Sequence, residues 1–412
     1  MKRSLDAYES VVGPSTIRQL RQLGERLAGA RVVNVNSTRE GGGVAEILDW
    51  MVSLMIELGL DASWEVIDGN GKFFEITKSI HNGLQGQVAP LERADWDMYV
   101  ETNAQNAERL RPLLEGADFV IIHDPQPAPL LQLCPARTGK WVWRAHIDIS
   151  RPYRQTWKRL RTFVHGYDAS IFSMAEFAQP LPHQQVIVAP SIDPLSDKNM
   201  DLTESETDRV RAEFKLDPDR PLLVQISRYD RFKDPLGVIQ TYRLVKKVRP
   251  VQLVLAGGGA NDDPEGKAIL DEVLAAADGD PDIHVLLLPS NASRTINALQ
   301  RLADIVLQKS TREGFGLTVT EALWKGKPVI GGDTGGIRLQ VVNHHTGFLV
   351  STPEGAAHRV RYLLDHRADA LRMGQAGRGF VRENFLLSRH LREYLTLLLT
   401  LRQEREARMI FV

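Results

Sequence analysis

Short apolar runs alternate with longer amphipathic stretches along most of the chain. Apolar residues recur at helical spacing over Ser15–Gly29, and the run Arg31-Val-Val-Asn-Val-Asn36 that follows predicts a strand. Gly41-Gly42-Gly43 precedes a second helical pattern, Val44–Met55, so this region reads strand, glycine loop, helix. Further β-like runs stand at Asp118–Ile122, Lys140–Trp143, Ala169–Phe172 and Gln185–Ala189, with helical stretches between several of them. This alternation predicts a mostly parallel sheet with helices on both faces.

The rhythm breaks at Pro190-Ser-Ile-Asp-Pro-Leu-Ser-Asp-Lys-Asn199, where two prolines stand among turn formers, and an interdomain linker is expected there. It then restarts, with strands predicted at Pro221–Ile226, Val251–Ala256, His284–Leu288, Ile305–Leu307 and Pro328–Ile330. The second half is thus another doubly wound domain, although not a sequence repeat of the first. Ser388–Arg408 reads as a terminal helix whose Arg/Glu-rich end is a solvated face. The expected domains are 1–190, with the helix 388–412 packing back on it, and 191–387. Open α/β sheets bind ligands at the carboxyl ends of their strands, so a cleft faced by two such domains is the expected site.

Composition narrows the picture. At 412 residues the chain exceeds one ordinary core. A net charge of −1 supplies no whole-molecule field for nucleic acid or an anionic membrane. Cys134 is the single cysteine, which excludes an intrachain disulfide and a cysteine zinc cage, and it reads as a packing residue. The opening MKRSLDAYES lacks the apolar core of a signal peptide, and apolar stretches such as Leu395–Leu401 are too short to span a bilayer. A cytoplasmic protein is expected, and the sequons at Asn36 and Asn291 would matter only in a secreted chain.

The candidate chemistry begins at Thr311-Arg-Glu-Gly-Phe-Gly-Leu-Thr-Val-Thr-Glu321. A strand feeds a glycine-containing turn and a helix starts at Leu317, where free N–H groups and the helix dipole favour a phosphate. Glu313 precedes the helix and Glu321 lies within it, so the two do not necessarily share a face. Ser227-Arg-Tyr-Asp-Arg-Phe-Lys233 follows the first strand of the second domain. Its Arg228 and Lys233 suit a diphosphate leaving group, but taken alone such a pair is usually a solvated surface feature. Gly331-Gly-Asp-Thr-Gly-Gly336 reads equally as a binding loop or a tight strand-to-helix turn.

Together, Arg228 and Lys233, Glu313 to Glu321, and Gly335-Gly336 resemble the nucleotide-sugar site of retaining glycosyltransferases of the two-domain GT-B architecture. The resemblance implies that Arg228 and Lys233 contact the diphosphate and that Glu313 meets donor-sugar hydroxyls. It places Gly314, Phe315, Gly316, Leu317 and Thr318 along the donor, and Glu321 at the ribose. Asp234 departs from the pattern, since relatives often carry glycine after the lysine.

In the first half, Val33–Glu46, Phe73–Gly86, Val120-Ile-Ile-His-Asp-Pro-Gln-Pro-Ala128, Trp141-Val-Trp-Arg-Ala-His-Ile-Asp148 and Ala189–Ser196 look like trehalose glycosyltransferring synthases, members of the glycogen-synthase-like superfamily. That resemblance implies that Gly42 and Gly43 bring amides to the donor, and that His146 meets the donor sugar or the departing group. Asp124 would accept hydrogen bonds from the acceptor, with Asn36 and Gln126 as further acceptor candidates that capping or turn roles explain nearly as well. His123 would orient the loop, and Trp143 reads as core.

The activity implied is reversible transfer of glucose from a nucleoside diphosphate glucose, such as UDP- or ADP-glucose, to free glucose, giving trehalose with retention. Its catalytic set would be His146, Arg228, Lys233 and Glu313. A front-face route is favoured, with a double displacement through Glu313 as its rival. No metal is obligatory, magnesium being expected only through the nucleotide, and the resemblance suggests a homodimer. Two other readings are a retaining trehalose phosphorylase and a non-catalytic sugar- or nucleotide-binding protein. A nicotinamide oxidoreductase is disfavoured, because Gly41-Gly42-Gly43 lacks the spaced dinucleotide fingerprint.

Overall fold

Among the described residues, twelve strands form two six-stranded sheets. The structure, a computed structural model, describes residues 4–39, 43–258, 264–289 and 291–410, without the side chains of residues 264–265 and 404–410. The first sheet contains β1 (Arg31–Asn36), β2 (Asp61–Val66), β3 (Phe119–His123), β4 (Lys140–Arg144), β5 (Ala169–Phe172) and β6 (Gln184–Ile187). The second contains β7 (Leu222–Ile226), β8 (Gln252–Gly257), β9 (Ile283–Leu287), β10 (Ile305–Gln308), β11 (Val329–Gly332) and β12 (Gly347–Val350). Every pairing between them is parallel. The predicted α/β class therefore holds, with two additions. The sequence reading passed over β2, whose polar residues alternate with buried Ala62 and Trp64, and β12, which is four residues long.

The two sheets differ in strand order. The first runs β2-β1-β3-β4-β5-β6, so its order reverses between β1 and β3. The second runs β12-β11-β10-β7-β8-β9, which is the 3-2-1-4-5-6 order of dinucleotide-binding folds, with reversal between β7 and β10. At a reversal the loops leaving two adjacent strands diverge to opposite faces of the sheet and open a crevice. The segments that follow β1 and β3, and those that follow β7 and β10, contain most of the residues singled out above.

Burial of strand side chains beneath the helices holds each sheet in place. In the second domain Leu223, Leu253, Leu255, Ile305, Leu307, Ile330 and Phe348 pack with Val238, Tyr242 and Val245 of the helix Pro235–Lys246, and with Val360 and Leu363 of the helix Pro353–Asp365. Each such side chain contributes about 1.5–3 kcal/mol on full burial, against about 0–1 kcal/mol for an exposed ion pair. The core therefore outweighs the surface ion pairs.

The chain divides into one unit reaching to Pro190 and resuming at Leu387, and a second spanning Ser191–Leu386. The last helix, Leu387–Ile410, buries Leu391, Leu395 and Leu398. Its Arg389 donates to the carbonyls of Ala189 (2.7 Å) and Pro190 (3.0 Å). The stretch expected as a linker is not free chain. After Pro190 it is strapped to the second domain: Asn297 Nδ2 donates to the carbonyls of Asp197 (2.9 Å) and Met200 (2.8 Å), and Trp324 Nε1 to that of Asn199 (3.2 Å).

Lys325 fastens the same strap, donating to Asn199 Oδ1 at 3.1 Å and to the carbonyl of Glu321 at 3.2 Å. Burial pulls its ammonium down from 10.5 to about 7, against the opposing pull of the Glu321 charge. Between those two values the unfolded chain holds the extra proton, so this group makes stability rise with pH across that window. Wild-type protein should accordingly gain stability relative to Lys325→Met as pH rises from about 7 towards 10. Denaturant unfolding of the two proteins across that range checks this, and parallel pH curves would contradict it.

Candidate functional site

The crevice of the second sheet is built from two loops. Ser227–Lys233 leaves β7 and Lys309–Gly316 leaves β10, and a side-chain contact joins them: Lys233 Nζ lies 2.6 Å from Glu313 Oε2. Lys233 is 19% and Glu313 9% exposed, so water screens this pair weakly. Ser310 Oγ donates to the same carboxylate oxygen at 3.2 Å, Gln308 Nε2 donates to Ser310 Oγ at 3.1 Å, and Thr318 Oγ1 donates to Gln308 Oε1 at 3.2 Å. Glu313 thus ends a polar chain running back to the first turn of the helix Leu317–Trp324. Arg228 extends into solvent at 67% exposure, with Asp230 at 3.5 Å, and so remains available to a ligand.

That helix is launched by Gly316, which caps it at φ +85°, a left-handed conformation that costs glycine little. The turn Gly335-Gly336 is explained by close approach. A Cβ on Gly335 would stand 1.7 Å from the Glu313 carbonyl oxygen, and one on Gly336 2.4 Å from Phe315 Cα. The second glycine turn therefore buttresses the backbone that presents Glu313. Gln340 completes the support, donating to the carbonyls of Phe315 (2.6 Å) and Gly336 (3.1 Å) and accepting from Thr320 Oγ1 (2.5 Å).

Asp234, the departure from the resembled pattern, adopts φ +51°, in the left-handed region that favours glycine. Its carboxylate offsets the strain by capping the helix Pro235–Lys246 through the Gly237 N–H (3.1 Å) and by pairing with buried Lys309.

The placements vary within this domain. Leu317 and Thr318 begin the helix, where the first N–H groups have no intrahelical acceptor. The ring of Phe315 is core, 5.4 Å from that of Phe385, so only its backbone faces the loop. Glu321 is 2% exposed, and its Oε2 has no hydrogen-bond partner.

In the first domain, β1, β3 and β4 bring together Asn34, His123, Asp124, Arg144 and His146. Asp124 takes φ +63° immediately after β3. Its Oδ1 accepts the His146 N–H (2.8 Å), its own N–H donates to the Arg144 carbonyl (2.8 Å), and its carbonyl accepts Trp143 Nε1 (3.0 Å). His146 Nε2 lies 2.9 Å from His123 Nδ1, and His123 Nε2 lies 3.1 Å from Asn34 Oδ1.

Burial governs the charges here. It pushes the Asp124 carboxyl up to about 6, despite the His146 N–H and the Arg144 guanidinium. It pulls His123 down to about 3, with Arg144 adding to the effect. His146 is held well below the usual imidazole range by burial, then by Arg144, His123 and His390. At neutral pH this cluster holds an anionic Asp124, a cationic Arg144 and two neutral imidazoles.

Asn36 donates to the Thr38 carbonyl (2.7 Å) and accepts Trp64 Nε1 (2.8 Å). Gln126 keeps a buried Oε1 with no hydrogen-bond partner. Gly43 opens the helix Gly43–Glu57, while Gly42 lies outside the described residues. The sequence reading gave no role to Asn34, Arg144, Gln308, Ser310 or Gln340. Three of these carried a signal, as polar residues within apolar strands: Asn34 in Val-Asn-Val, Arg144 after Trp-Val-Trp and Gln308 after Ile-Val-Leu. Among the described residues no group of three or more His, Cys, Asp or Glu is arranged to hold a metal ion, and no helix is long and apolar enough to cross a membrane.

Two family models match this chain: "Trehalose synthase, N-terminal domain" over residues 34–179 and "Glycosyl transferases group 1" over residues 206–380. A trehalose synthase of Thermococcus litoralis is 46% identical over 401 residues, covering 96% of this chain and 97% of that protein. A trehalose phosphorylase of Pleurotus pulmonarius is 30% identical, covering 86% of this chain and 54% of its own length. Among solved structures, a UDP-forming α,α-trehalose-phosphate synthase from Burkholderia xenovorans superposes with a TM-score of 0.71 at 14% identity, over 90% of this chain and all of that one. This likeness establishes the GT-B fold.

The raised value of Asp124 makes a prediction about stability. The folded chain favours the protonated carboxyl between 3.8 and about 6, so ionisation above that window costs stability. Asparagine keeps the acceptor for the His146 N–H, tolerates positive φ and carries no charge. Asp124→Asn should therefore be stabilised relative to wild type above about pH 6, with the advantage shrinking towards pH 4. Thermal or denaturant unfolding at both ends of the range measures it. An Asp124→Asn protein less stable than wild type at neutral pH would refute the prediction.

Proposed function

We propose, because the chain belongs to the trehalose synthase family of glycosyltransferases and presents a cationic, glycine-buttressed crevice in its second domain, that it transfers glucose from a nucleoside diphosphate glucose to free glucose, forming trehalose. The observation that carries the reading is the contact of Lys233 with Glu313 at the reversal of a 3-2-1-4-5-6 sheet, beside the start of a helix.

In this reading the diphosphate lies against Arg228, Lys233 and the first N–H groups of the helix Leu317–Trp324. Glu313 accepts hydrogen bonds from the donor sugar, Glu321 binds the ribose, and Gly314 to Thr318 line the donor. Asp124 and Gln126 receive the acceptor glucose, and His146 meets the donor sugar. The bond between the anomeric carbon and the phosphate oxygen breaks. A bond from the acceptor's anomeric hydroxyl forms on the same face, and its proton passes to the leaving phosphate. Arg228 and Lys233 stabilise the charge that develops there. Magnesium enters only as a companion of the nucleotide. The front-face route is supported by Glu313 already accepting from Lys233 and Ser310, which suits a hydrogen-bonding role better than attack on carbon.

A second reading, a retaining trehalose phosphorylase, is supported by the 30% identical relative of that name. The two separate in the reverse direction. Trehalose with a nucleoside diphosphate should yield nucleoside diphosphate glucose and glucose, whereas trehalose with inorganic phosphate should yield nothing. Glucose 1-phosphate as the only product would overturn the nucleotide-sugar reading. Lys233→Ala should lower kcat by about 10²–10³-fold, through loss of leaving-group stabilisation. Glu313→Gln should lower it as well; a trapped glycosyl adduct on Glu313 would replace the front-face route with double displacement.

A further inference from the structure

We propose that Asn34 and His123 are positioning residues, which through a two-bond relay fix His146 in the tautomer with its proton on Nε2 and Nδ1 left bare as an acceptor. The assignment follows from what each atom can do. Asn34 Nδ2 points to the Ser63 carbonyl at 3.5 Å, an acceptor only, so the amide oxygen is the end facing His123. That oxygen cannot donate. The 3.1 Å contact therefore requires a proton on His123 Nε2, and a neutral His123 then has a bare Nδ1. Across the 2.9 Å contact, His146 Nε2 must be the donor. A neutral His146 is left with an unprotonated Nδ1.

Three features make the relay a fixed device. Asn34 is 0% and His123 1% exposed, so bulk water does not compete for either contact. Asn34 pairs with Ile121 across β1 and β3, which places Asn34 and His123, two residues further along, on the same face of the sheet. Both imidazoles remain neutral because burial penalises the charged ring, Arg144 on β4 opposes a further positive charge, and His390 of the last helix adds to the opposition at His146, while Asp124 Oδ1 accepts the His146 backbone N–H. Tyr394, buried on the last helix, and Glu393 and Arg389 beside it are further titratable groups that interact with Arg144.

The consequence for chemistry rests on the donor-sugar role proposed for His146. A bare Nδ1 accepts a sugar hydroxyl and cannot act as a proton donor at neutral pH. The proton for the leaving phosphate then comes from the acceptor hydroxyl, as the front-face route requires.

Nitrogen-15 NMR of the full-length protein labelled at histidine tests the relay without reference to turnover. His123→Gln and His146→Gln variants assign the signals. At neutral pH both imidazoles should be uncharged, with protons on Nε2. A proton on Nδ1 of His146, or a charged ring there, would overturn the proposal.

Two substitutions at Asn34 then separate positioning from structure. Asn34→Leu removes the acceptor, and both tautomers should appear at His146 with kcat lowered about 10- to 100-fold at every pH. Asn34→Asp keeps an acceptor but favours a charged His123, whose Nδ1–H would force His146 to accept on Nε2 and carry its proton on Nδ1. Its kcat should be low at acidic pH and climb towards wild type as pH rises through the elevated His123 value. Identical pH profiles for the two variants would leave Asn34 a merely structural residue and sink the proposal. Should the wild-type protein show the expected tautomers but no transfer with any nucleoside diphosphate glucose, the relay stands and the function proposed above falls.

Discussion

The ammonium of Lys233 and the carboxylate of Glu313, 2.6 Å apart and largely withdrawn from water, join the two loops that leave the second sheet where its strand order reverses. Such loops diverge by topology, and nothing in the sheet's own hydrogen bonding brings them together again. The ion pair does this together with the Thr311 N–H bond to the Phe232 carbonyl (2.8 Å) and the pairing of Lys309 with Asp234, and its partners extend the effect. Ser310 and Gln308 carry it to the first turn of the helix Leu317–Trp324, while Gly335 and Gly336 press their backbone against residues 313–315.

The first domain solves a similar problem with the opposite electrostatics. Where the second domain balances charges across its reversal, the first uses a neutral chain from Asn34 through His123 to His146. Burial supplies the main reason, and Arg144 adds to it. A buried cation beside two imidazoles disfavours a further positive charge, so the rings can be joined only as neutral donor and acceptor.

Much of this was legible in the chain. Arg31–Asn36 and Pro221–Ile226 announce themselves as strands because residues buried on both faces must be apolar on both, and parallel sheets bury both. β2 was not legible for the converse reason: it lies at the edge, where alternate positions face water and polar residues interrupt the apolar run. The segment after Pro190 was legible in part. Its prolines and turn formers describe irregular backbone correctly, but they do not reveal that Asn297, Trp324 and Lys325, a hundred or more positions on, would hold it.

By itself the sequence determined the alternating α/β architecture, the two domains' worth of strands, and the kinds of side chain gathered at strand ends, because periodicity and turn chemistry are local. Tertiary structure alone decided how those side chains pair. That Lys233 meets Glu313, that Asp234 takes a left-handed backbone and uses its carboxylate to sustain it, and that Asn36 accepts from Trp64 all depend on atoms brought together from distant positions. Glu313 appeared in the sequence as a carboxylate of open role. The fold makes it the acceptor at the end of a polar chain, because strand order, which no local pattern encodes, sets β7 beside β10.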